Sequence, residues 1–129
     1  MLEEKKEYIN EWIKKANKDV YAADIMNEAG NAEEIVCFHC EQAIEKLLKA
    51  YMIYKNEEIL KTHNLNKLFL ICSKYNDFFS TYIHTNITEY AVEIRYPDSR
   101  DIPSTDEVKE TMKTMYIIIN KINELIKFN

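Results

Sequence analysis

The apolar residues between positions 36 and 54 recur every three or four residues, which is the spacing of one face of an α-helix. At about 100° per residue they form one broad stripe, with Cys37 and Leu48 widening it on one side. A stripe of this width predicts a central helix that packs against more than one neighbour. Its members are Val36, Cys40, Ala43, Ile44, Leu47, Ala50, Tyr51 and Tyr54.

The opposite side of the same predicted helix is polar. Residues three, four or seven positions apart share one strip of helix surface. The predicted helix therefore offers one face to the core and a dense polar strip that is the candidate for function. The strip consists of His39, Gln42, Glu45, Lys46 and Lys49.

A helical period also predicts a first helix over about residues 3–28. Gly30 is its natural end, because glycine adopts positive φ freely. Asn31 is then predicted to be the N-cap of the second helix, with Glu34 completing a capping box. So short a link predicts an antiparallel hairpin. The expected inner face of the first helix contains Trp12, Ile13, Ala16, Val20, Ala23 and Met26.

Three further helices are predicted after the hairpin. Thr62 or Asn64 can cap a short third helix, and Asn76 with Asp77 ends it. A fourth helix is expected over residues 79–94 and ends before Pro97, because the residue before a proline is pushed out of helical geometry. The inner side of the third helix is expected to contain Leu65, Leu68, Phe69 and Cys72.

The irregular loop of residues 96–103 precedes the last predicted helix. Ser104 and Glu107 form a second capping box at its start. The inward residues of this fifth helix are expected to be Val108, Met112, Met115, Tyr116, Ile119, Ile122 and Ile126.

Composition supports an all-α fold. The chain has 129 residues but only one glycine and two prolines, and a β-rich fold needs many turns built from these residues. We therefore expect a single domain, 1–129, folded as an antiparallel, up-and-down bundle of about five helices. Its apolar content also predicts an exposed patch of the kind through which proteins dimerise.

Charge and cysteine content narrow the function classes. The net charge of −5 lacks the overall basic bias of a nucleic-acid-binding chain, although a local basic patch stays open. No apolar run is long enough to span a membrane. Without a signal peptide, three cysteines indicate reduced thiols in the cytoplasm. Cys37 and Cys40 lie on the apolar side of a helix, so buried inert thiols are favoured over a redox or zinc motif.

Four segments carry a resemblance to a known family. They are Trp12-x-x-x-Ala16-x-x-Asp19, the run Phe38-His39-Cys40-Glu41-Gln42-Ala43-x-Glu45-Lys46-x-Leu48-Lys49-Ala50, His63-x-Leu65, and Arg95-Tyr96-Pro97-Asp98. In order and spacing the chain resembles the HEPN domain family (higher eukaryotes and prokaryotes nucleotide-binding domain), in the branch with the Gln-Ala-x-Glu-Lys helix and the Arg-Tyr-Pro motif.

The resemblance implies an antiparallel helical bundle that dimerises. Many members are encoded with a minimal nucleotidyltransferase and work as toxin–antitoxin pairs. Another subset are metal-independent ribonucleases with an Arg, four to six residues, and a His. Here neither Arg95 nor Arg100 is followed by a histidine at that distance. The ribonuclease interpretation therefore loses its main support, and the family's association with nucleotides remains.

The candidate ligand site is the polar strip together with Arg95 and Tyr96. Lys46 and Arg95 would hold a phosphate through charge-assisted hydrogen bonds, and Tyr96 could stack on a base. Gln42 or His39 could bond a base edge or ribose. The competing interpretation is structural: Glu45 pairs with Arg95, and the strip pins the second helix to the fourth.

Three functions stay open from the sequence. The first is a homodimeric module that binds a nucleotide or phosphate ligand and partners a nucleotidyltransferase. The second is a ribonuclease with a rearranged site that uses His39 or His63 with Arg95. The third is an adaptor without a ligand. No catalytic residue, metal or cofactor is assigned, and a helix-entry or interface role is favoured for His63.

Overall fold

The computed structural model describes residues 1–83 and 102–128. In this part of the chain four α-helices and one 3₁₀-helix pack against one another, which confirms the all-α prediction. The elements are α1 (Glu3–Ala29), α2 (Glu33–Tyr54), α3 (Leu65–Ser73), the 3₁₀-helix (Asp77–Tyr82) and α4 (Thr105–Leu125).

Helices α1 and α2 form the predicted antiparallel hairpin. Lys5 near the start of α1 donates a hydrogen bond to Asn56, just past the end of α2. Halfway along, Asp19 of α1 contacts His39 of α2. Gly30 ends α1 with φ of +83° and donates its N–H to the carbonyl of Met26. The predicted stop at Gly30 is therefore confirmed.

The start of α2 differs from the prediction. Its N-cap is Ala32, which makes no side-chain capping hydrogen bond. Asn31 has φ of +57°, a left-handed conformation that belongs to the reversal between the helices. An N-cap usually has extended backbone geometry, so Asn31 cannot serve both the turn and the cap. Glu33 and Glu34 lie in the first turn of α2 instead, where negative charge is favourable.

Helix α2 is the central element, as its apolar stripe predicts. It packs against α1, α3 and α4. Every residue of the predicted stripe is buried except Tyr54, which is half-buried. Cys37, Cys40 and Cys72 are buried thiols that form no disulfide bond. Burial raises the pKa of Cys72 to about 12 and also raises that of Cys40, so these thiols stay protonated and inert near neutral pH.

Helix α3 is capped by Asn64, whose side chain accepts a hydrogen bond from the backbone N–H of Lys67 at 3.3 Å. Thr62 instead accepts a bond from the N–H of Asn64. The predicted inner residues of α3 are all buried: Leu65, Leu68, Phe69 and Cys72.

The predicted fourth helix is wrong at its beginning. Residues Asp77–Tyr82 form a 3₁₀-helix, and Ile83 is already extended. The side chain of Asn76 accepts a bond from the N–H of Phe78 and so starts the tighter turn. The rest of that predicted helix, and the loop up to residue 101, lie outside the described residues.

Helix α4 begins with the predicted capping box. Ser104 and Glu107 bond each other's backbone N–H groups, both at 3.1 Å. The inner face is turned slightly from the predicted one. Tyr116 is 40% exposed while Ile118 is fully buried. The other predicted inward residues are buried or half-buried: Val108, Met112, Met115, Ile119, Ile122 and Ile126.

Tyr116 lies at the edge of the core because its hydroxyl has a partner on α1. It donates to both carboxylate oxygens of Asp24. This hydrogen bond, with a smaller contribution from burial, raises the pKa of Tyr116 to about 12. The bond ties α4 to α1. In the described residues, no helix is long and apolar enough to cross a membrane.

The Tyr116–Asp24 bond predicts a pH-dependent stability. The phenol loses its proton near pH 10 in the unfolded chain but near 12 in the folded protein. Its contribution to stability is therefore complete below pH 10 and is lost as the pH rises through about 12. We expect Asp24→Asn to lower the Tyr116 pKa toward 10. An ultraviolet titration measures this pKa once the titration signal of the Tyr116→Phe variant has been subtracted. Glu28→Gln, an exposed change on the same helix, should leave this pKa unchanged; an equal shift would contradict the assignment.

Candidate functional site

The polar strip of α2 exists, but other parts of the chain cover much of it. The side chains of Glu45 and Lys49 are only 4% and 6% exposed. His39, Gln42 and Lys46 are half-buried. Buried charges must be paired to be tolerated, and the pairs come from α2 itself, from α1 and from the segment before α3.

Asp19 of α1 forms the first half of the site. One carboxylate oxygen lies 2.9 Å from Nδ1 of His39, and the other accepts a hydrogen bond from Nζ of Lys46. The Asp19 side chain is 12% exposed. Its carboxylate therefore fastens α1 to the polar strip of α2.

Glu45 forms the second half. One of its oxygens accepts a hydrogen bond from Lys49 at 3.1 Å, one helical turn away. Nδ1 of His63 lies 3.0 and 3.2 Å from the two oxygens. The His63 side chain is 68% exposed, so it bridges solvent and a buried carboxylate. His63 thus connects the link between α2 and α3 to the centre of α2, in agreement with a role at the helix entry.

In each half of the site, one carboxylate binds one lysine and one histidine. We call these six side chains the charged cluster. With neutral histidines its two carboxylates and two ammonium groups balance. Each ring turns Nδ1 to its carboxylate, so Nε2 lies on the far edge, where it can bond a ligand. The members are Asp19, His39, Glu45, Lys46, Lys49 and His63.

Asp19 and His63 were not assigned to the candidate ligand site from the sequence. Asp19 did carry a signal, because it is a carboxylate on the inward face of α1 between Ala16 and Ala23, both fully buried. An acidic residue at such a position needs a partner from another element. For His63, nothing in the sequence pointed to Glu45.

Trp12 closes the cluster on the side of α1. The ammonium of Lys49 lies 5.5 Å from the centre of the indole ring, within cation–π range. Lys49 is therefore held between a carboxylate and an aromatic face. A lysine held on two sides in this way is well placed to neutralise Glu45 and poorly placed to extend toward a ligand.

Arg95 and Tyr96 lie outside the described residues. Their place beside the strip, the pairing of Arg95 with Glu45, and the stacking role of Tyr96 all stay predictions. Within residues 1–83 and 102–128, no group of three histidine, cysteine or acidic side chains is arranged to hold a metal ion.

Comparison with known proteins settles the family. The family model for the HEPN domain matches residues 9–125. The chain therefore belongs to the HEPN domain family, as the resemblance predicts, and members of this family are often paired with nucleotidyltransferases. The chain matches no curated protein and no solved structure.

The buried Glu45–Lys49 pair predicts a strong dependence of stability on both partners. Lys49→Met leaves the Glu45 carboxylate without its cation in the interior, which should lower the free energy of unfolding by about 3 kcal/mol. The double variant Glu45→Gln, Lys49→Met should recover much of that loss, because no unpaired charge remains. Urea unfolding of both single variants and the double variant measures the coupling. Strictly additive losses would show that the two side chains act independently.

Proposed function

We propose that this HEPN module binds a nucleotide or phosphate ligand at the charged cluster and serves as the partner of a minimal nucleotidyltransferase in a toxin–antitoxin-like pair. The observation that carries the proposal is the charged cluster itself. Four of its members lie on α2, namely His39, Glu45, Lys46 and Lys49, while Asp19 comes from α1 and His63 from the segment before α3. Membership of a family often paired with nucleotidyltransferases supports the same partner.

Lys46 is the cation of the charged cluster that is best placed to meet a ligand. Its side chain is 22% exposed and lies on Asp19 at the border between α1 and α2. A phosphate can therefore reach the ammonium from solvent and share it with Asp19. His39, 28% exposed on the same carboxylate, can bond the ligand through Nε2. In this proposal Gln42 bonds the base or ribose, while Lys49 and Glu45 keep the cluster in place.

Arg95 and Tyr96 complete the proposed site. Arg95 would supply a second cation in a geometry suited to phosphate. Tyr96 would stack on the base. The ribonuclease alternative has less support, because the Arg-x₄₋₆-His pattern is absent from the sequence.

Nucleotides should stabilise the folded protein. At a concentration one hundred times the Kd, AMP, ATP or GTP should raise the free energy of unfolding by about 2.7 kcal/mol, because each binds only the folded state. The increase in Tm measures the effect. Lys46→Gln should reduce it, whereas Lys18→Gln, at an exposed position of α1, should not. If none of the three nucleotides shifts the Tm, the adaptor without a ligand is the better description.

The proposal includes a homodimer. Large apolar side chains are exposed on the hairpin: Tyr21 is 70% and Phe38 43% exposed, and Ile25 and Ile35 are exposed by almost half. Exposed apolar residues of this kind mark interfaces when they are contiguous. Sizing chromatography should therefore give twice the chain mass of 15.4 kDa. Elution as a monomer at every concentration would count against the dimer, and Phe38→Ser offers a direct way to weaken it.

A further inference from the structure

A small cleft lies on one side of the N-terminal half of α1, and none of its lining residues belongs to the predicted site residues. It has a volume of about 100 Å³ and is lined by Tyr8, Glu11, Trp12 and Lys15. Tyr8 lies three and four residues before Glu11 and Trp12, and Lys15 lies four and three residues after them, so the four share one face of the helix. The cleft therefore combines two aromatic rings, one carboxylate and one ammonium group.

The aromatic wall of the cleft is well defined. The rings of Tyr8 and Trp12 have centroids 6.3 Å apart and meet edge to face at 62°. Tyr8 is 47% exposed, and Trp12 is half-buried. The buried ammonium of Lys49 lies 5.5 Å from the indole centre. Because Lys49 approaches from the protein interior, it fixes the indole while the cleft stays open to solvent.

The Trp12 indole also has an unmet hydrogen-bonding requirement. Its Nε1 is buried and has no hydrogen-bond partner among the described residues. Buried indole N–H groups usually have one. The Trp12 ring therefore lies between Lys49 of the charged cluster and the cleft, with its N–H unpaired among the described residues.

We propose that the cleft is the nucleobase subsite of the nucleotide site; this inference rests on the proposed function. A base stacks on the Tyr8 and Trp12 rings, a contact that is available to every base. In this inference the cleft therefore takes over the base contacts that the proposed function gave to Gln42 and Tyr96. The Glu11 carboxylate accepts a hydrogen bond from an exocyclic amino group, as acidic side chains do from cytosine. Adenine and cytosine supply such a donor, whereas uracil does not.

The dimensions of the cleft match this assignment. Sites that enclose a whole small molecule measure roughly 300–1,000 Å³, so about 100 Å³ accommodates one ring system with the sugar and phosphate outside. Asp19 follows Trp12 by seven residues on the same face of α1, which is about 10 Å along the axis. Phosphates attached to a base in the cleft therefore lie over Lys15 and extend toward Lys46 on Asp19.

Trp12 provides the test, because it is the only tryptophan in the chain. Its fluorescence should be quenched, saturably, by AMP and CMP, more weakly by UMP, and not by ribose 5-phosphate, which lacks a base. Tyr8→Ala should weaken AMP binding about tenfold, within the range for loss of one stacking contact. Tyr8→Phe is the matched control, since it keeps the aromatic ring that stacks and should bind AMP as tightly as the unaltered protein.

The outcomes separate the cleft from the wider proposal. If AMP raises the Tm but Tyr8→Ala binds it as well as Tyr8→Phe does, the cleft assignment is wrong and nucleotide binding stands. Equal affinity for ribose 5-phosphate and AMP would likewise overturn the cleft and leave a phosphate site. If no nucleotide changes either the Tm or the fluorescence, both proposals fail together.

Discussion

The structure depends on how the central helix buries its polar side as well as its apolar one. Glu45 and Lys49 lie in the interior, where an unpaired charge would destabilise the fold by several kcal/mol. They are tolerated because Glu45 binds both Lys49 and His63. Asp19 pairs with His39 and Lys46, and these two contacts fix where α1 lies along α2. The packing of α3 and α4 on the other side of α2 then follows from the apolar stripe.

Most of the helical framework could be predicted because it is encoded locally. The apolar period of α2, the glycine after α1 and the Ser104–Glu107 box each act within a few residues. The errors arose where two local signals competed. Asn31 can cap a helix or adopt positive φ, and in the structure it adopts positive φ in the turn between α1 and α2. Residues 79–82 have a helical pattern of apolar residues, but the bond from Phe78 to Asn76 starts a tighter 3₁₀ turn.

The site was predictable only in part, because periodicity describes one helix at a time. The helical period placed the five polar residues of α2 on one strip of the helix surface, and in the structure they do lie on that strip. It could not say that α1 would cover the strip, since the contact between Asp19 and Lys46 spans 27 positions. For the same reason Trp12, expected in the core, lines a surface cleft, and Tyr116 reaches outward to Asp24. In each case a partner distant in sequence decides the position of the side chain.

The three residues between α1 and α2 also shape the order of folding. Closing a short link demands little chain entropy, and structures rich in local contacts fold fastest. The hairpin brings Asp19 to His39 across only 20 positions, whereas Tyr116 must find Asp24 across 92. The first half of the chain therefore contains everything needed to join Asp19 with His39 and Lys46. A ribosome would release that half, with this part of the charged cluster already encoded, before the last helix is made.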